Sequence, residues 1–296
     1  MKFKPPDTEE QLQAMGELKS LPEKIRKAFN PQFDFQPIPP PQPGDWLDIH
    51  PEPGQTFRDY IELHPPKPTA ERGKIYLQPL GEFEASKSPS LEILRDYANV
   101  YFGLPTEILP SLNLHSLPIA SRKNPFTGKK QILTTDVLNI SLAILPHDAC
   151  TLLAITMEDL FPEPSWNFVF GQASLSQKVG VFSFARYDPA FYGYTRGKDY
   201  RQILLKRSCQ VLTHELAHMF YLAHCIYFLC IMNGSNHLAE SDSRPLHLCP
   251  VCLRKLYFCL EFDIKKRYEK LWLFYRQQGF HDEAEWIATR LKRIFH

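Results

Sequence analysis

HELAHMFYLAHC, residues 214–225, decides how this 296-residue sequence is read. His214 and His218 are four residues apart. On an α-helix that spacing leaves them about 40° apart around the axis, so both imidazoles face one point. Neutral imidazole is a good zinc ligand, and three protein ligands plus water make the usual catalytic set. Glu215, beside the first histidine, can act as general base toward an attacking water. His224 is the candidate third ligand. On a straight helix it would sit about 240° around from His218, so the helix must break between them. A glycine three residues after His218 would make that break without steric cost. Tyr221 stands there instead. Either Tyr221 takes a left-handed conformation, at a cost on the order of 1–3 kcal/mol, or the turn is redrawn nearby.

The same stretch opens a second set of ligands. Cys225-x4-Cys230 is followed by Cys249-x2-Cys252. Four thiolates in two close pairs suit a tetrahedral, structural zinc. A redox CxxC needs only one pair, and CPVC at 249–252 has a matching pair upstream. Cys150, Cys209 and Cys259 fall outside the pattern and read as small buried hydrophobes. His237 and His247 read as loop residues, since both ligand sets are already full. The expected cofactor is therefore Zn2+, two per chain, one catalytic and one structural. His224 and Cys225 are adjacent, so the thiolate clip is expected to fix the loop that carries the third histidine.

Taken as a whole, HELAHMFYLAHCIYFLCIMNGSNHLAESDSRPLHLCPVCLRKL (214–256) resembles the archaemetzincins. That family's pattern is HExxHxxGxxHC, four residues, CxM, and a later CxxC. His214, His218, His224, Cys225, Cys230, Cys249 and Cys252 match its metal positions, and Glu215 matches its base. Met232 matches the Met-turn methionine, which the resemblance puts beneath the catalytic metal. Tyr221 is the one departure. DLFPEPSWNFVFGQASLSQKVGVFSFARY (159–187) is similar to the eukaryotic members, and the likeness spans roughly residues 73–260. The resemblance implies a metzincin-like catalytic domain with a twisted mixed sheet and an active-site helix. It implies zinc-dependent peptide hydrolysis, aminopeptidase-like in character. It also implies that VGVFSFARY (179–187), or its neighbour, is the edge that pairs with extended substrate.

The rest of the chain fits an α/β protein. KIYLQPL (74–80) and CTLLAIT (150–156) read as strands, as do residues 167–170 and 179–187. Helices are expected over 91–103 with a glycine stop, 132–145, about 202–220, 259–276 and 281–295. Residues 1–70 hold 14 of the 26 prolines and predict a largely irregular arm. Two short helices are expected within it, at Thr8–Leu18 and Glu23–Phe29. The expected division is an arm over 1–72, a catalytic domain over 73–260, and packing helices over 261–296. Trp166 and Phe168 read as core.

Net charge is +1, so bulk charge supports neither a nucleic-acid nor a membrane partner. The longest apolar run, Met219–Met232, carries His224 and two cysteines and is too short to span a bilayer. The start, MKFKPPDTEEQ, lacks the apolar core of a secretory signal. The expectation is a cytoplasmic protein, with the nucleus open to it, acting as a monomer on peptide or protein substrates. Two other readings compete. One is a peptide-binding module in which Tyr221 distorts the site and turnover is lost. The other is a four-cysteine zinc ribbon that binds nucleic acid, for which RKL at 254–256 and KKR at 265–267 are the only basic clusters nearby.

Overall fold

The computed structural model describes residues 2–174 and 176–295. Met1 and His296, the outer ends of the expected arm and of the C-terminal segment, lie outside them. The fold is mixed α/β. Two compact units emerge: Met1–Lys67 with Phe220–His296, and Pro68–Met219.

The proline-rich arm is less irregular than its composition predicts. It contains four short helices: α1 (Thr8–Met15), α2 (Glu23–Ala28), α3 (Trp46–Ile49) and α4 (Phe57–Glu62). Helices α1 and α4 begin with reciprocal capping boxes, Asp7 with Glu10 and Thr56 with Asp59. Each box satisfies amides that a first turn would otherwise leave open. These local signals outweigh the nearby prolines.

Pro68–Met219 carries the sheets. Its elements are β1 (Lys74–Leu80), α5 (Leu91–Phe102), β2 (Thr106–Ile108), β3 (Ser121–Lys123), β4 (Lys130–Leu133), α6 (Thr134–Ala143), β5 (Ala149–Thr156), β6 (Asp159–Phe161), β7 (Gly171–Ser174), β8 (Val179–Ser183) and α7 (Tyr200–Met219). The main sheet runs β2-β1-β5-β8-β7, and a smaller one runs β3-β4-β6. Among the described residues of the main sheet, only the β7–β8 pair is antiparallel. Every residue of β5 is buried, as expected of a central strand covered on both faces. Val137 and Leu138 of α6 join Leu152, Ala154, Val179 and Val181 in one apolar cluster. On the opposite face Gly180 leaves room for Leu153 and for Met219 of α7, and the Thr151 hydroxyl meets the Met219 sulfur at 2.7 Å. Helix α7 therefore lies against the face opposite α6. Arg186 and Asp159 form a buried bidentate pair at 2.8 Å.

Several boundaries differ from the sequence reading. Residues 167–170 hold only an isolated bridge at Val169, and the strand follows at Gly171–Ser174. The stretch 132–145 is split between β4 and α6. Gly103 does end α5, in a left-handed conformation. Trp166 is not core: it is 43% exposed. Phe168 is half-buried, with the Arg186 guanidinium 3.5 Å from its ring centre.

Phe220–His296 adds α8 (Leu238–Asp242), α9 (Pro250–Leu260), α10 (Ile264–Gln277) and α11 (His281–Phe295). The single helix expected over 259–276 is really the end of α9 and all of α10. Glu261 breaks them apart at φ 53°. The arm packs on this segment. Asp34 pairs with Arg290 at 2.7 Å, both buried, and Gln11 donates to the Tyr227 carbonyl at 3.0 Å. No helix among the described residues is long and apolar enough to cross a membrane.

Candidate metal centre

His214, Glu215 and His218 stand on the last two turns of α7. The helical spacing does what it predicts: the Nε2 atoms of His214 and His218 approach to 3.0 Å. Two nitrogens bound to one tetrahedral zinc at 2.0–2.1 Å would be roughly 3.3 Å apart, so the pair fits a shared ion. Helix α7 stops at Met219, and Tyr221 then takes φ 67°. Tyr221 thus occupies the left-handed region itself, and the turn is not redrawn elsewhere. Within this short stretch of chain, the ligand atoms of His214, His218 and His224 all lie within 4.8 Å of one another.

Glu215 is buried, and its neighbour explains where its carboxylate points. A Cβ built on Gly171, the first residue of β7, would meet the Glu215 Oε1 at 2.6 Å. The backbone of β7 therefore passes directly beside the carboxylate. Strand β7 is the last in its sheet, while β8 lies between β5 and β7. VGVFS is thus an inner strand, and its neighbour GQAS is the edge.

Cys225, Cys230, Cys249 and Cys252 are buried and bring their sulfurs within 4.8 Å of one another. The Cys225 and Cys249 sulfurs are 3.5 Å apart, against roughly 3.8 Å for two thiolates 2.3 Å from one tetrahedral zinc. Cys249 caps α9 with Pro250 in its first turn, and its sulfur accepts from the Cys252 amide at 3.4 Å. The Cys230 sulfur accepts from the amides of Cys249 at 3.2 Å and Met232 at 3.5 Å. Burial pushes the Cys225 thiol up, but hydrogen bonds from Cys230, Cys249 and Cys252 outweigh it and hold Cys225 well below the usual thiol range. Burial, together with those contacts, pushes Cys249 well above it. Met232 is fully buried, and its carbonyl accepts from the Cys225 amide at 2.8 Å.

A model of peptidase family M54 matches residues 143–257. Archaemetzincin-2 of Homo sapiens is 39% identical over 275 residues, covering 83% of this chain and 76% of that protein.

The chain belongs to the archaemetzincin family.

It is a zinc metallopeptidase, and it acts on peptide or protein substrates. Archaemetzincin-1 of Mus musculus is 32% identical over 255 residues, covering 77% of this chain and 51% of that protein. The crystal structure of an archaemetzincin from Archaeoglobus fulgidus, complexed with malonate, covers 62% of this chain and 99% of its own, with 26% identity and a TM-score of 0.48.

In this archaemetzincin the spacing of the histidines and cysteines carries no sign of the residues that hold the turn between them. Gln55 donates to the Tyr221 carbonyl at 3.0 Å and accepts from the Ala223 amide at 3.1 Å. The Tyr60 hydroxyl donates to the Phe220 carbonyl at 2.9 Å. The buried Lys255 ammonium donates to Gln55 Oε1 at 3.0 Å and to the Gln55 carbonyl. Glu52 meets His224 Nδ1 at 2.8 Å. No sequence signal ties these residues to positions more than 150 residues away. The His247 ring stacks on Trp286, with centroids 3.7 Å apart. Asp45, His237 and Glu240 form a third group with metal-ligand atoms. These atoms are already engaged, however: His237 with Asp45 and the Glu240 amide, Asp45 also with the Gln42 amide, and Glu240 with the amides of Trp46 and Asn236.

Proposed function

We propose that His214, His218 and His224 hold a catalytic zinc with Glu215 as general base, and that the four cysteines hold a second, structural zinc. The observation that carries this reading is the left-handed turn at Tyr221. It gives a tyrosine the role the family pattern assigns to glycine. The competing reading, a binding module without turnover, rests on the bulk of the Tyr221 ring beside His224.

When bound, the zinc supplies a Lewis acid that polarises the scissile carbonyl and makes water more acidic. The Glu215 carboxylate takes the water's proton and passes it to the leaving amine. Extended substrate adds to the outer edge of β7, where main-chain hydrogen bonds hold it in register. The close approach of Gly171 to Glu215 supports this, because a peptide on β7 would lie beside the base. By the resemblance, Met232 is the Met-turn methionine. The proposal extends to an aminopeptidase-like preference for free N-termini. It also extends to a cytoplasmic location with the nucleus open to it, since a thiolate set is best maintained in a reducing compartment.

Cleavage of a peptide library by the wild type and by Glu215→Gln tests the reading. The variant is expected to lose on the order of 10²-fold or more in kcat, with zinc content unchanged. Equal, slow cleavage by both proteins would end the proposal. Acetylating the peptide N-termini tests the finer claim: aminopeptidase character predicts that turnover disappears.

A further inference from the structure

The arm between α3 and α4 reads HPEPGQT, residues 50–56. Pro51 and Pro53 flank Glu52, which fixes two φ angles and stiffens the backbone that presents its carboxylate. Gly54 follows at φ 77°, and a Cβ there would meet the Ile226 side chain at 2.7 Å and the Tyr227 hydroxyl at 3.0 Å. The arm is therefore seated tightly against the residues just after His224. Glu52 Oε1 accepts from the Trp46 indole at 2.8 Å and lies 2.8 Å from His224 Nδ1. The Trp46 ring stands edge-on to the His224 ring, with centroids 5.0 Å apart and planes at 81°. Gly234 admits Trp46, since a Cβ there would fall 2.3 Å from the indole. His224 is thus held in rotation by an indole and at one nitrogen by a carboxylate.

The chemistry of that bond has a direction. A carboxylate only accepts, so the hydrogen sits on Nδ1 and the lone pair of the neutral ring sits on Nε2. Carboxylates bonded to the remote nitrogen of a ligating histidine fix its tautomer and raise its basicity. With the ring neutral, this contact between side chains 19% and 26% exposed is a hydrogen bond, and its main consequence is the fixed tautomer.

We propose that Glu52 is a positioning residue of the catalytic zinc centre, holding the His224 imidazole in the tautomer and rotation that a metal ion needs. This rests on the reading of His224 as the third ligand. The arm then belongs to the zinc site, with Glu52 setting the ligand and Gln55 setting the turn that delivers it.

The test is the rate at which zinc leaves the full-length protein for a chromogenic chelator at neutral pH. It compares the wild type with Glu52→Ala, Glu52→Gln, Asp45→Ala and His224→Ala. Glu52→Ala is expected to release one zinc about 10-fold or more faster, in line with outer-shell losses of metal affinity. Glu52→Gln keeps an oxygen acceptor and should fall between it and the wild type. Asp45→Ala breaks the arm's bond to His237 without touching His224, and should release zinc like the wild type. Wild-type release from both Glu52 variants, or equal acceleration by Asp45→Ala, would overturn the positioning role and leave arm docking as the only function of the contact. Wild-type release from His224→Ala would overturn instead the three-histidine reading beneath it.

Discussion

Tyr221 is a single residue on which the competence of the histidine site turns, and it sits at φ 67°. A non-glycine residue there costs on the order of 1 kcal/mol or more. That cost is met by Gln55, which donates to the Tyr221 carbonyl and accepts from the Ala223 amide, and by Tyr60, which donates to the Phe220 carbonyl. The sequence reading expected the thiolate clip to do this work. The hydrogen bonds of the arm supply a restraint that needs no metal. Replacing Tyr221 by glycine should leave peptidase activity intact, because glycine reaches the same conformation freely. Replacing it by valine should lower stability by roughly 1–2 kcal/mol and reduce activity, because a β-branched residue resists φ > 0. Denaturant midpoints and a peptidase assay on the two variants check this; an inactive Tyr221→Gly would mean that the ring, not the turn, matters.

Between α7 and β7 the decisive feature is a close approach. Gly171 has an ordinary backbone conformation, so alanine is not excluded there by φ. It is excluded by the Glu215 carboxylate, which a Cβ would meet at 2.6 Å. A carboxylate is the movable end of a side chain, so Gly171→Ala should shift Glu215 rather than unfold the sheet. The expected outcome is a large fall in kcat with little change in melting temperature; unchanged kcat would remove Glu215 from its assigned place beside β7. This approach was not legible in the sequence. The expected strand at 167–170 lay just short of β7, and nothing local marks Gly171 as facing a helix. Elements with a strong period or a stop signal were legible: β1, β5, α5 with its Gly103 cap, and α11. The break between α9 and α10 was not, because it falls on Glu261, a residue type that does not advertise a left-handed conformation.

At the scale of the whole molecule, the histidine and cysteine clusters were legible and the residues packed around them were not. Histidine and cysteine spacing is a local property, set by helix geometry and by tight turns. Glu52, Gln55 and Trp46 act on residues about 166 to 188 positions further along the chain, and only the folded arm brings them there. The proline-rich arm, which composition marks as irregular, holds the segment that carries His224. The proposed arrangement is two separate zinc sites with separate ligand sets. Zinc per chain in the purified protein tests that most directly, measured for the wild type, for His218→Ala with His224→Ala, and for Cys249→Ala with Cys252→Ala. The two-site arrangement gives two zinc ions in the wild type and one in the double histidine variant, with the structural ion lost from the double cysteine variant. One zinc in the wild type, or two in the histidine variant, would contradict it.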